Sequence, residues 1–282
     1  MLGSGVLVRR MSSLVSGLVC KEVTVPVPWG VIAAKQWSNP YPGQTEGSAG
    51  SVTNWIGIHG WLDNAGSFDS LAPLLLTSLP HLSLLCLDYP GHGLSSHLPP
   101  GQSYHYLEAQ TYLRLVVDHL GLDKFGLIGH SMGAGMSSLF AATHPEMVQA
   151  LVMIDLVKPV GRLRENVVER TRLSVDNQIS IEKKLRQPNN KVYKSEQEAL
   201  DRLLEDATRM QGEGAVTEES ARIMLKRGLK QSGDGFVFTR DLRHRVPGLY
   251  GFTDEFLEEF AKNISCPHLL IKVVRRVFLG WN

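Results

Sequence analysis

The sequence predicts an α/β protein: a doubly wound, mostly parallel sheet interrupted by an inserted helical cap. Three observations point there. Short apolar runs alternate with segments of helical spacing, the succession of strand, crossover helix and next strand. The connections between them are short, which implies right-handed crossovers within one sheet. Residues 157–245 then break that rhythm with long charged stretches and leucines at helical intervals, which reads as an insertion.

The elements follow in order. The first twenty residues contain Arg9, Arg10 and four serines but no acid before Glu22, the composition of a disordered leader or a weak mitochondrial transit peptide. From Lys21 the period becomes two, with Val23, Val25 and Val27 before the turn Pro28-Trp29-Gly30 and Val31 to Trp37 after it: a β-hairpin. A Gly, Pro and Ser-rich loop occupies 39–51. The nearly continuous apolar runs 55–58, 82–87, 125–128, 151–154 and 268–274 read as strands covered on both faces. Tyr106, Tyr112, Leu113, Val116, Val117 and Leu120 mark a helix between the second and third of these, and the stretch after Ser131 marks another. The resulting division is a leader at 1–20, the first part of the core at 21–156, a helical cap at 157–245 and a return to the core at 246–282. Within the cap no strand is evident, and charged runs such as Glu196 to Arg209 and Lys226-Arg227 read as solvated helix faces.

Composition removes several classes of function. With 282 residues, 43% hydrophobic and 20% charged, the chain has the make-up of a globular protein and not of a disordered or fibrous one. A formal net charge of +1 supplies no field for a phosphate backbone, so nucleic acid is not an expected partner. The apolar stretch 71–87 contains Pro73, Pro80 and His81, which spoils it as a transmembrane span. Cys20, Cys86 and Cys266 are odd in number and far apart, forming neither a disulfide framework nor a zinc pattern, which fits a reducing compartment. No metal and no cofactor is expected.

Gly129-His130-Ser131-Met132-Gly133 follows the strand at 125–128 and precedes helix-like sequence. A serine on so tight a strand-to-helix turn needs neighbours without bulk two before and two after, and both are glycine. The segment therefore reads as a nucleophile elbow with Ser131 as nucleophile. His59-Gly60-Trp61 follows the strand ending at Ile58, where the loop giving a second oxyanion donor belongs. The backbone N–H groups of Trp61 and Met132 are the expected pair of donors. His59 reads as a packed, hydrogen-bonded residue and not as a proton carrier, and Gly60, Gly129 and Gly133 as structural glycines. In Asp88-Tyr89-Pro90-Gly91-His92-Gly93-Leu94-Ser95, Asp88 and His92 read as loop organisers, because no third ligand lies close enough in sequence for a metal.

These blocks, in this order, resemble the α/β-hydrolase fold family. The segments 29–35, 59–65, 91–97 and 129–131 resemble in particular the serine hydrolase-like proteins of vertebrates, over about residues 21–272. The resemblance implies an eight-stranded core, a helical cap over the site, a serine nucleophile, a small-molecule acyl substrate and a cytoplasmic or peroxisomal home. It also implies a histidine near the C-terminus to take the serine's proton. Of the ten histidines only His144, His244 and His268 follow Ser131, and none occupies that place. Family members continue past the Leu-Leu-Ile-Lys strand with an acid-bearing loop, a further strand and the histidine. This sequence reads Val273 to Asn282 there instead, so the final strand and helix are expected to be missing, as in a truncated or alternatively spliced product. Asp155, after the strand at 151–154, is either the triad acid or a structural residue holding the loop into the cap. Two functional readings remain: a serine hydrolase of esters, thioesters or amides, and a binding form that keeps the pocket without the proton relay.

Overall fold

The computed structural model describes residues 17–40, 53–156, 166–186, 191–212, 215–246 and 252–272. Two antiparallel strands open the fold, β1 (Val19–Val27) and β2 (Gly30–Ser38), paired from Val27 and Gly30 across the Pro28-Trp29 turn. After β3 (Thr53–Ile58), the apolar stretch 71–87 divides into α1 (Leu71–Ser78) and β4 (Leu82–Leu87). Pro73 is tolerated because it sits in the first turn of α1, where its missing N–H has no partner to lose. Then come α2 (Ala109–Leu120), β5 (Phe125–His130), α3 (Met132–Thr143) and β6 (Val148–Ile154). Between β6 and the next core elements the chain forms α4 (Val167–Leu185), α5 (Glu196–Gln211), α6 (Glu218–Gly228), the hairpin β7 (Leu229–Ser232) and β8 (Gly235–Phe238), and a 3-10 turn at Leu242–Arg245. Finally α7 (Asp254–Lys262) leads into β9 (His268–Ile271).

The seven-stranded sheet runs in the order β1-β2-β4-β3-β5-β6-β9, with β3, β4, β5, β6 and β9 parallel. Successive strands step from β3 to β4 on one side and then to β5 on the other. The strand order therefore reverses at β3, and a crevice opens beyond the carboxyl ends of β3 and β5, the usual ligand position in such sheets. Both faces are filled. One side packs Tyr112, Leu113, Val116 and Val117 of α2 with Phe140 of α3 against Ile56, Leu85 and Leu127. The other packs Phe68, Ala72 and Leu76 under Trp37, Leu84 and Ile128. All six residues of β4 are buried, and each leucine removed from water there contributes about 1.5–3 kcal/mol.

Four expectations need correction. β1 begins at Val19 and Leu18 is buried against the second cluster, so the fold starts inside the segment read as a leader. The residues between β6 and α7 do contain strands: Gly233, at φ 58°, and Asp234 form the two-residue turn of the β7–β8 hairpin. Lys226-Arg227 is not a solvated run, because Arg227 is only 5% exposed. β9 is not covered on both faces: Leu269, Leu270 and Ile271 are exposed, and β6 is the one strand paired with it among the described residues. The resemblance implies eight core strands, of which the described residues supply seven; residues 273–282 lie outside them.

Candidate active site

At the carboxyl ends of β3 and β5 lies a cavity of about 740 Å³ with Ser131 in its lining. Ser131 joins β5 to α3 with φ 48° and ψ −111°, a backbone conformation that costs a non-glycine residue about 1–3 kcal/mol. The surroundings fix it there. Its N–H donates to the Ile154 carbonyl at 2.9 Å, and its carbonyl accepts the N–H groups of Ala134 and Gly135 in the first turn of α3. A Cβ on Gly129 would lie 2.4 Å from the backbone of Gly133, and one on Gly133 would lie 2.1 Å from the Ile58 carbonyl oxygen. The two glycines thus let the ends of β3 and β5 close onto the start of α3.

The loop after β3 reaches the same point. A Cβ on Gly60 would lie 2.9 Å from His130 Nδ1 and 3.7 Å from Ser131 Cβ, so this loop passes directly over the elbow. Two buried imidazoles hold it. His59 donates through Nδ1 to the Gly60 carbonyl at 2.7 Å, and its Nε2 accepts the Tyr89 N–H at 3.0 Å. His92 Nε2 accepts the Leu62 N–H at 3.2 Å. Burial, reinforced by His244 and His59, holds the His92 pKa well below the usual imidazole value, so the ring stays neutral and keeps its acceptor. Trp61 is half exposed, and its indole N–H donates to the His244 carbonyl at 2.8 Å.

Asp88 is fully buried, and its carboxylate is occupied by the N–H groups of Ala65 and Leu94, both at 2.8 Å, and by the Arg227 guanidinium. Arg227 also pairs with Glu22 on β1 at 2.5 Å, tying α6 to the sheet through two acids. Sequence reasoning missed Arg227 because an Arg in a charged helix looks solvated until its partner, 139 residues away, is known. Among the described residues no cluster of His, Cys, Asp and Glu has metal-binding geometry.

Of the predicted site residues, Gly60, Trp61, Ser131 and Asp155 line the cavity together, while Met132 opens α3 directly beneath it. Asp155 is exposed, has φ 77° and donates its N–H to the Ile271 carbonyl at 2.8 Å. The three histidines after Ser131 are engaged elsewhere. His144 stacks on Phe140 and contacts Thr143, and His268 Nδ1 lies 3.2 Å from the Cys266 carbonyl. His244 stacks on Tyr104 and donates through Nε2 to the Pro90 carbonyl at 2.9 Å. Burial holds its pKa down at about 3.

The opposite wall of the cavity comes from α5, α6 and the residues after β8: Leu203, Met210, Met224, Leu225 and Phe238 with Asp206, Arg209, Arg240 and Arg245. Their contribution had no signature in the sequence.

The sequence model of the alpha/beta hydrolase fold matches residues 56–197, which hold the end of β3, the elbow and the start of α5. The chain belongs to the alpha/beta hydrolase family. It is 34% identical over 255 residues to a "Probable serine hydrolase" of Drosophila melanogaster, covering 89% of this chain and 71% of that one. It is 32% identical to "Serine hydrolase-like protein 2" of Homo sapiens, covering 93% and 75%. Among solved structures, a hypothetical protein from Pseudomonas aeruginosa PAO1 superposes with a TM-score of 0.75 at 29% identity, over 89% of this chain and 80% of that one. The thioesterase domain from the curacin biosynthetic pathway shares the fold, with a TM-score of 0.69 at 20% identity, covering 89% and 82%. No helix among the described residues is long and apolar enough to cross a membrane. The alpha/beta hydrolase match ends at residue 197, so α6, the hairpin and Arg240 lie outside the matched segment.

Proposed function

We propose that the protein is a serine hydrolase acting on an ester, thioester or amide through an acyl-enzyme on Ser131. The observation that carries this reading is the strained Ser131 backbone in the lining of a cavity of about 740 Å³, locked by Gly129 and Gly133. In this reading Ser131 Oγ attacks the carbonyl carbon, the bond to the leaving group breaks, and the hydroxyl proton departs with that group as an alcohol, thiol or amine. Water then cleaves the acyl ester, returning Ser131 and releasing the acid. The backbone N–H groups of Trp61 and Met132 hold the oxyanion. α4–α6 and the β7–β8 hairpin form the cap, residues 157–245 of the chain. Asp155 supplies either the acid that orients an imidazole or the structural turn beside β9.

A second reading is favoured by the positions of His144, His244 and His268, each bonded or stacked away from Ser131. It is a binding form in which Ser131 has no positioned base. The two readings separate cleanly. A fluorophosphonate probe should label Ser131, and Ser131→Ala should abolish labelling; labelling that survives the substitution overturns the nucleophile. A labelled protein that hydrolyses p-nitrophenyl acetate about 10³-fold or more below a histidine-bearing relative is the binding form, following the effect of removing one member of a triad.

A further inference from the structure

We propose that the cavity grips its ligand by an anionic group, a carboxylate or phosphate, seated on Arg240 with Arg245 beside it, so that the compound cut at Ser131 is itself an acid. The chemistry at Ser131 rests on the function proposed above; the binding of the anion does not.

Arg240 is part-buried and less neutralised than the buried Arg227 and Arg243. Its guanidinium lies over the Phe238 ring at 4.4 Å, and its Nη1 is 3.4 Å from the Leu62 carbonyl oxygen. Among the described residues no carboxylate lies within 4.0 Å of it. Arg227 and Arg243, by contrast, each hold an aspartate at 2.7 Å. The nearby acid is already committed. Asp206 accepts from Arg202 at 2.9 Å and from Arg209, and sits 3.7 Å from Arg245, so one carboxylate is divided among three guanidiniums. Asp63 and Tyr193 are the other groups of acid character that Arg240 senses. Burial, with the repulsion of Arg245, lowers the Arg240 pKa to about 10, which leaves it charged at neutral pH.

The backbone on both sides of Arg240 is tied down. On one side of Arg240, the Thr239 N–H donates to the Gly228 carbonyl at 2.9 Å and its hydroxyl to the Arg227 carbonyl at 3.1 Å. On the other, the Asp241 N–H donates to the Gly91 carbonyl at 2.8 Å. A guanidinium presents a planar fork that takes a carboxylate or phosphate through two parallel hydrogen bonds, and here its face is already set by Phe238. Leu203, Met210 and Leu225 supply the apolar wall along which a carbon chain would lie. The Leu62 carbonyl touched by Arg240 is two residues beyond Gly60, at most about 7 Å of chain, and Gly60 abuts Ser131. A short chain spans that separation, as in half esters of succinic or glutaric acid.

The test measures how ligands slow labelling of Ser131 by an uncharged fluorophosphonate. Glutarate should protect Ser131 at concentrations where uncharged glutaramide does not. Inorganic phosphate as a parallel competitor identifies the oxyanion: protection by both points to any compact oxyanion, by glutarate alone to a carboxylate. Arg240→Gln should raise the half-protecting glutarate concentration about 10- to 100-fold, the loss expected for a charge-assisted hydrogen-bond pair. Arg240→Lys should recover part of it, and Arg222→Gln, on the outer face of α6, should change nothing. Equal protection by glutarate and glutaramide, or unchanged protection in a folded Arg240→Gln variant, overturns the proposal. If that variant does not fold, the comparison of glutarate with glutaramide on the unaltered protein decides. If Ser131 is never labelled, the hydrolase reading falls, and calorimetry with glutarate decides separately: binding that weakens with salt supports the anion site, and no binding removes it.

Discussion

At the floor of the cavity, where β3, β5 and α3 converge, position is set by the absence of atoms: Gly60, Gly129 and Gly133 are the points at which a single carbon would collide. At the far wall, α6 and the turn after the β7–β8 hairpin are placed by long charged side chains reaching across the chain, Arg227 to Asp88 and Glu22, and Arg243 to the carbonyl groups of Leu98, Pro99 and Gln102. Backbone held by close contact leaves little room to shift, which would suit the nucleophile proposed at Ser131. A wall held by ion pairs can keep some charges paired and leave one for a ligand, and Arg227 and Arg240 divide those two roles.

The sharpest way to break this contrast is to add one carbon to the floor. Gly133→Ala places a methyl 2.1 Å from the Ile58 carbonyl oxygen and 2.7 Å from that of His59, and backbone, unlike a side-chain tip, cannot swing away. The expected loss exceeds about 5 kcal/mol, a large share of the stability of an ordinary domain, read as failure to accumulate folded protein or as a collapsed urea midpoint. Removing the seam charge comes next. Arg227→Met leaves Asp88 buried with backbone donors alone and should cost about 3–5 kcal/mol, and Asp88→Asn in the same chain should restore part of it.

The loop between floor and wall can be addressed by pH. His92 and His244 are held neutral by burial, with folded pKa values below the unfolded one. The unfolded chain therefore takes up protons first as pH falls through about 6.5, and each histidine then removes about 1.4 kcal/mol of stability per pH unit. Between pH 6.5 and 5.5 urea denaturation should show a fall of roughly 2 kcal/mol for the pair, and His244→Gln should about halve the slope. A flat profile in that window would mean that the rings meet water. The smallest effect is expected outside the seam: Arg222→Ala removes an i,i+4 pair to Glu218 on a side chain 52% exposed, and stability should move by less than about 0.5 kcal/mol.

The same contrast explains what could be read beforehand. Strand period, the paired glycines around Ser131 and the placement of Gly60 after an apolar run are local signals, and steric necessity writes them into adjacent residues. The antiparallel pair β1–β2 and the strands from β3 to β6 were legible for that reason. The β7–β8 hairpin was not, although Ser232-Gly233-Asp234-Gly235 is a turn sequence, because Lys230 and Gln231 hide the strand before it among charged helices. Arg227 and Arg240 have the same local character as any helix-flanking arginine, and their difference lies in partners more than a hundred residues away. Asp155 could be placed beside Ser131 but not given a task, since a carboxylate's role depends on which group faces it. The exposure of β9 was equally invisible, because its apolar residues match those of a covered strand.

The Arg227 seam also orders events in time. Asp88 and Arg227 are separated by 139 residues, and Glu22 and Arg227 by 205. During synthesis at roughly 5–20 residues per second, about 7–28 seconds pass between the emergence of the aspartate and that of its counter-ion. Throughout that interval the loop after β4 carries a carboxylate whose side-chain counter-ion has not been made, so its burial rests on the N–H groups of Ala65 and Leu94 alone until α6 arrives. The guanidinium is in this sense a late signal, read just beyond the carboxyl end of β4.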